Sequence, residues 1–174
     1  MTAKSLAAAL LVAFAGWGVA QAQGAQPPGL SSDLAAIGFI VGDWVAAPGA
    51  ASPDRGHSSI HPILGGAALF RNDHHDVVDA SGKVTASFDQ VMPIYAEGGT
   101  LRGDYLDGSH VIHYTHAIVQ PGASVQFLTD AGAQPAYRLT YTKAGEDELR
   151  IRFEVAASAA GPFHVIADAK VRRK

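Results

Sequence analysis

The stretch Gly42-Asp43-Trp44-Val45 separates two differently patterned parts of the chain. Before it, residues 34–41 form a short apolar run typical of a helical turn, which Ser32 or Asp33 can cap. After it, short apolar runs alternate with turn residues up to the end of the sequence. We therefore predict that a short helix leads into a β-barrel and that Trp44 plugs one end of it.

The runs that follow Trp44 have the length and spacing of strands in an all-β protein. Residues typical of tight hairpins separate them, which indicates up-and-down order. A sheet with one apolar face removes its exposed edges most simply by closing on itself. We predict an all-β fold, a closed antiparallel up-and-down barrel of about ten strands. These are the strand at Trp44 and the runs 58–64, 67–73, 84–95, 100–106, 110–119, 124–128, 137–142, 148–155 and 163–171.

The composition excludes several classes of function. The chain has 174 residues, of which 48% are hydrophobic, and its net charge is −3, as in an ordinary globular domain. Nucleic acid is not an expected partner, because phosphate binding requires clustered cations. The absence of cysteine excludes disulfides, thiolate metal sites, cysteine nucleophiles and a lipid-modified N-terminal cysteine.

Residues 1–22 have the pattern of a signal peptide. A positive charge precedes the apolar run 6–15, and small residues lead up to a cleavage site after Ala22. The apolar run is shorter than the about 20 residues that a membrane-spanning helix requires. We predict a cleaved signal peptide, a flexible leader over 23–32 and one barrel domain over 33–174, exported to the periplasm and without a membrane span.

The hairpin at Asp107-Gly108 predicts which side chains face the interior. These two residues are typical of a two-residue type I′ turn, in which both central residues need positive φ. Tyr105 would then pair with His110, and Gly103 with Ile112, and opposed residues share a face. The predicted inward set is Leu101, Gly103, Tyr105, His110, Ile112, Tyr114 and His116.

Alternation in the later strands adds further inward side chains. Tyr137 and Tyr141 are predicted to face the interior, opposite an apolar face of the next strand. On the last strand, the predicted inward residues are Phe163, Val165, Ala167, Ala169 and Val171. His164 is predicted to point outward.

The eight histidines do not predict a metal site or a catalytic residue. His110, His113 and His116 recur every third residue, but His113 would lie on the opposite face of a strand. The other two would be ~20 Å apart along that strand, too far to share one ion. The sequence also lacks the H-E-x-x-H and G-x-S-x-G motifs.

The predicted interior is aromatic with a few polar tips, as in many small-molecule sites. The candidate ligand-binding residues are Tyr105, His110, Ile112, Tyr114, His116, Tyr137 and Tyr141. We predict an exported, non-catalytic barrel that binds a small hydrophobic or amphipathic molecule. One alternative is a hydrolase or isomerase that uses the inward histidines and tyrosines. Another is a filled interior, which would favour a surface-acting interaction module.

The chain resembles the calycin group, which includes the lipocalins and the fatty-acid-binding proteins, and most of all the exported lipocalin-like bacterial domains of unassigned function. The resemblance rests on Gly42-x-Trp44 after a helical turn, on the meander of strands and on the basic residues that close the last strand. It implies apolar ligands inside the barrel. It also implies that Arg172 or Arg173 packs over Trp44, which makes Gly42, Trp44 and Arg172 structural candidates.

A weaker resemblance links the chain to nitrobindin-like barrels, which also have about ten strands. It implies haem held by a histidine near the C-terminus, a position that only His164 occupies. The outward direction predicted for His164 argues against this role. No other cofactor is expected.

Overall fold

The computed structural model describes residues 29–47 and 55–174. The predicted signal peptide, 1–22, and most of the predicted leader lie outside these residues. The elements in chain order are α1 (Ser32–Ala35), a 3₁₀ turn (Gly38–Ile40), β1 (Gly42–Ala46), β2 (Arg55–Ile63), a second 3₁₀ turn (Leu64–Gly66), β3 (Ala68–Val78), β4 (Val84–Glu97), β5 (Thr100–Leu106), β6 (Val111–Tyr114), β7 (His116–Gln120), β8 (Ser124–Leu128), β9 (Ala136–Lys143), β10 (Glu148–Ala156) and β11 (His164–Arg173).

The described strands form one antiparallel sheet in the order β6-β5-β4-β3-β2-β1-β11-β10-β9-β8-β7. Apart from β6 and β7, which form the two edges of the sheet, strands that are neighbours in sequence pair with each other, and β1 also pairs with β11. The sheet curls into a nearly closed barrel of eleven strands. The predicted all-β barrel is confirmed, and the count differs from ten because β6 and β7 are two halves of the run predicted over 110–119.

A bend at Thr115 brings the two ends of the sheet together. Before the bend, β6 pairs with β5; after it, β7 pairs with β8. The backbone N–H of Thr115 donates to the carbonyl of Leu128 at 3.0 Å. The bend also changes the alternation, so that Tyr114 and Ala117 both pack against the core. The prediction that His116 faces the interior is therefore wrong, and its side chain is exposed.

The hairpin between β5 and β6 is longer than the sequence predicts. Tyr105 pairs with Ile112, so the loop comprises the four residues 107–110 rather than Asp107-Gly108 alone. The Asp107 carboxylate accepts the backbone N–H groups of Ser109 and His110 at 2.9 and 2.7 Å, which stabilises this loop. His110 therefore lies in an exposed loop, and its predicted inward position is wrong. The register shifts by two residues, so the inward faces of Ile112 and Tyr114 are retained.

A β-bulge between Phe153 and Glu154 changes the faces at the start of β11. Beyond it, Glu154 pairs with Val165 and Val155 pairs with His164. Val165 therefore points outward and His164 lies on the concave side, the reverse of both predictions. Phe163 was also predicted inward, but its ring lies 4.2 Å from the outward guanidinium carbon of Arg138. Ala167, Ala169 and Val171 keep their predicted inward direction, since they pair with inward residues of β10.

The helical segment closes one end of the barrel. Its apolar side chains Leu34, Ile37 and Ile40 are fully buried. Trp44 lies beneath them, 1% exposed, and its indole N–H donates to the carbonyl of Ile40 at 2.9 Å. The prediction that Trp44 plugs one end of the barrel is therefore confirmed.

A basic residue covers Trp44, but it is Arg173 rather than Arg172. Arg173 pairs with Trp44 and shares its face, whereas Arg172 pairs with Val45 on the other face. The guanidinium of Arg173 lies 4.5 Å from the indole centroid and donates to the Val41 carbonyl at 2.9 Å. Gly42, with φ +144°, gives this guanidinium its space, because a Cβ there would overlap it.

Candidate functional site: the interior cavity

A cavity of about 400 Å³ opens at the end of the barrel opposite the helical plug. It exists because β1, β2 and β11 contribute small inward residues where they meet: Ala46, Gly56, Ser58, Ala167 and Ala169. Ala167 and Ala169 point inward and are nevertheless exposed, which shows that solvent reaches this wall. The space is therefore a consequence of side-chain size along three adjacent strands.

Aromatic side chains form another part of the cavity lining. Tyr105 and Tyr114 line the cavity together with Phe153, and Trp44 lies at its closed end. The Phe153 ring stacks between Tyr105, at 6.5 Å between centroids, and Tyr137, at 5.8 Å. These rings give the cavity a rigid apolar surface.

The predicted ligand-binding residues divide into three groups. Tyr105 and Tyr114 line the cavity, as the inward faces of their strands predict. Tyr137, Tyr141 and Ile112 belong to the core around it. The other two residues lie outside: His110 binds Asp107 in the loop at 3.2 Å, and the His116 ring lies 3.3 Å from the hydroxyl of Thr115.

A buried ion pair between Arg71 and Asp73 lies at the inner end of the cavity. Arg71 is 7% exposed and Asp73 is 2% exposed, and both line the cavity. The Nε of Arg71 donates to Oδ2 of Asp73 at 2.7 Å, and its Nη2 donates to the same oxygen. Its Nη1 donates to the hydroxyl of Tyr141 at 2.9 Å.

Arg71 and the phenols around it keep well-defined protonation states. Burial opposes the charge of Arg71, but coulombic interactions with Tyr141 and Asp73 and the hydrogen bond to Asp73 raise its pKa overall. Burial raises the pKa of Tyr105 and of Tyr141 to about 12, and it raises the pKa of Tyr114 as well. The phenols are therefore neutral near physiological pH, and Arg71 is a cation.

Two buried oxygen atoms at this end have no hydrogen-bond partner among the described residues. They are Oδ1 of Asp73 and Oγ of Ser58. Ser58 is 9% exposed and pairs directly with Asp73 across β2 and β3, on the cavity side. An unpaired buried polar atom costs about 1–3 kcal/mol, and a hydrogen bond from a polar group in the cavity would offset that cost.

The sequence analysis did not predict this polar cluster, because hydrophobicity suggests that Phe70 faces the interior and that the charged residues of β3 face the solvent. Leu69, Arg71 and Asp73 share the inward face, while Phe70 points outward and is 36% exposed. The sequence did contain one indication of this arrangement. Leu69, Arg71 and Asp73 are alternate residues of one strand, so the charged residues lie on the same face as the hydrophobic Leu69. The pairing with Ile60 and Ser58 of β2 decides that this face is the inner one.

The mouth of the cavity is more polar than its walls. His75 stacks on Phe88 there, with 5.2 Å between ring centroids, and Arg55 and Gln90 also border it. His164 does not line the cavity, so the residues present do not supply the axial ligand that a haem barrel would need from that position. Within 29–47 and 55–174, no three His, Asp or Glu side chains form a group that could hold a metal ion.

Comparisons of the chain with family models and with curated protein sequences find no match. None of the helices in the described part of the chain combines the length and the hydropathy that crossing a membrane requires.

Proposed function

We propose that this protein is an exported, non-catalytic barrel that binds a small amphipathic molecule in its interior cavity. The observation that carries the proposal is the cavity of about 400 Å³. Its volume falls within the roughly 300–1,000 Å³ of known small-molecule sites. Export to the periplasm rests on the predicted signal peptide over 1–22. The assignment to the calycin group is part of the proposal and is supported by the packing of Arg173 over Trp44.

The lining of the cavity supports an amphipathic ligand. Protein interiors are close-packed, with few voids larger than a water molecule, so a space of this size is not ordinary core packing. The aromatic wall at Tyr105 and Phe153 suits an apolar body, and the ion pair of Arg71 and Asp73 suits one polar end. This combination of an apolar surface with a few placed polar groups is typical of binding sites.

The geometry favours binding over the enzyme alternative. That alternative required His110 or His116 to meet a second titratable group inside the barrel. Both histidines lie on the outside, so a hydrolase or isomerase mechanism based on them has no support here. The haem alternative loses its support as well, because His164 does not border the cavity.

A pair of tryptophan substitutions on β11 tests the proposal. Ala167 points into the cavity, whereas Val165, two residues earlier, points outward beyond the bulge. Ala167→Trp should fill much of the cavity and weaken binding of the neutral dye Nile red more than about tenfold, or over 1.4 kcal/mol. Val165→Trp should leave Nile red affinity unchanged. Equal affinities in the two variants and the wild type would show that the dye binds elsewhere.

Native mass spectrometry gives a second readout. Protein purified from its own host should carry a copurified small molecule. The Ala167→Trp variant should carry much less of it than the Val165→Trp variant. The same preparation also gives the mature mass, which should begin at Gln23 if the predicted cleavage is correct.

A further inference from the structure

We infer that the end of the ligand that enters the barrel is a hydroxyl group, held between Asp73 and Ser58. This inference rests on the proposed function and specifies the chemical class of the ligand as a neutral amphipathic alcohol. It follows from which polar atoms at the inner end of the cavity are already paired and which are not.

One oxygen of the Asp73 carboxylate accepts hydrogen bonds from Arg71, and the other has no partner among the described residues. Arg71 directs both its Nε and its Nη2 to Oδ2, and Oδ1 has no partner among the described residues. The residue is 2% exposed and lines the cavity. An ionised carboxylate oxygen only accepts hydrogen bonds, so the missing partner is a donor.

Ser58 completes a two-point site. It lies directly opposite Asp73 on the neighbouring strand, and its Oγ has no partner within the described residues. A serine hydroxyl carries one donor hydrogen and two acceptor lone pairs. A ligand hydroxyl has the same inventory, so it can donate to Oδ1 of Asp73 and accept from Oγ of Ser58 at the same time.

The charges around the site disfavour ionised ligands. A ligand carboxylate would find Arg71 already neutralised and would face the unpaired oxygen of Asp73, which carries the same sign of charge. A ligand ammonium would be buried close to the Arg71 guanidinium, with Arg55 and Lys170 also bordering the cavity. Burying an unpaired charge is far more costly than burying a hydroxyl that is hydrogen-bonded. A neutral donor satisfies both oxygens without either penalty.

Displacement of Nile red by ligands of one chain length tests the inference. The series is 1-decanol, decyl methyl ether, decylamine and decanoate, measured near neutral pH on the mature protein. The ether keeps the chain and the oxygen but lacks the donor hydrogen. We expect 1-decanol to bind roughly tenfold or more tightly than each of the other three, as a hydrogen bond to a charged acceptor predicts.

Two substitutions assign the preference to these residues. Ser58→Ala should lower the affinity for 1-decanol roughly threefold to tenfold. Ser59→Ala should leave this affinity unchanged, because the Ser59 hydroxyl donates to the Asn72 carbonyl on the exposed face. Asp73→Asn should reverse the preference toward decanoate, because it leaves Arg71 without its counter-charge. If Asp73→Asn does not fold, the wild-type series and the two serine variants decide the outcome.

The results separate this inference from the proposed function. Decanoate or decylamine binding as tightly as 1-decanol would overturn the hydroxyl assignment. Equal affinities for 1-decanol and its ether would also overturn it, because the two oxygens would then be satisfied by water. In both cases the proposed function stands as long as Ala167→Trp blocks Nile red. A dye that binds Ala167→Trp as tightly as the wild type would overturn both.

Discussion

The buried ion pair of Arg71 and Asp73 allows a test of why charges lie inside this barrel. The perturbation is a double-mutant cycle on residues 23–174, with Asp73→Ala, Arg71→Met and the two combined. Asp73→Ala removes the carboxylate oxygen that accepts from Nε and Nη2 of Arg71, and of these acceptors it leaves the guanidinium only the hydroxyl of Tyr141. Arg71→Met leaves a buried carboxylate without its ion-pair partner.

The expected magnitudes follow from burial. Arg71 is 7% exposed and Asp73 is 2% exposed, so each charge is poorly solvated when its partner is lost. Each single substitution should therefore reduce the free energy of unfolding by about 3–5 kcal/mol. The double substitution should cost less than about 2 kcal/mol, because replacing a buried pair by apolar groups is often neutral. The coupling energy, which is the sum of the two single losses minus the loss in the double variant, should thus be at least about 4 kcal/mol.

Urea unfolding followed by tryptophan fluorescence measures all four corners of the cycle. Trp44 is the only tryptophan in residues 23–174, and it is buried beside the cavity, so its emission reports directly on this region. Additive losses in the double variant would refute the reasoning, since they would mean that the two charges do not compensate each other. A double variant that is stable but no longer prefers 1-decanol would show that the pair serves recognition more than stability.

Two further predictions concern the closed end of the barrel and the outer surface of the sheet. Arg173→Ala should lower the free energy of unfolding by about 1–3 kcal/mol, because it removes the guanidinium that covers Trp44 and a hydrogen bond to the backbone. Arg172→Ala should change it by no more than about 0.5 kcal/mol. Equal urea midpoints for the two variants would contradict this. The hydrogen bond to Asp89 raises the pKa of His74 in the folded protein. Protonated His74 therefore stabilises the fold fully below the ordinary histidine pKa of about 6.5, and this contribution is lost as pH rises through the folded pKa. The midpoint difference between wild type and His74→Gln should therefore shrink from about pH 5.5 to about pH 8, and a constant difference would be evidence against this role.

The candidate site could be predicted from the sequence only in part. Tyr105 and Tyr114 were assigned to the cavity side correctly even though their hairpin was assigned the wrong loop length, because a shift of two residues preserves the face. Arg71 and Asp73 were missed because patterning treats charged residues as solvent-facing. His116 was misplaced because nothing in its neighbourhood predicts the bend at Thr115.

The sequence by itself determined the all-β class, the order of the strands, the aromatic character of the interior and the role of Trp44 at the closed end. These features depend on the alternation of side chains and on turn residues, which are local properties of the chain. Only the tertiary structure decided that Arg173 covers Trp44, that His164 lies on the concave side and that Asp73 meets Ser58. Those outcomes depend on the register between strands, where a single bulge or bend exchanges the inner and outer faces.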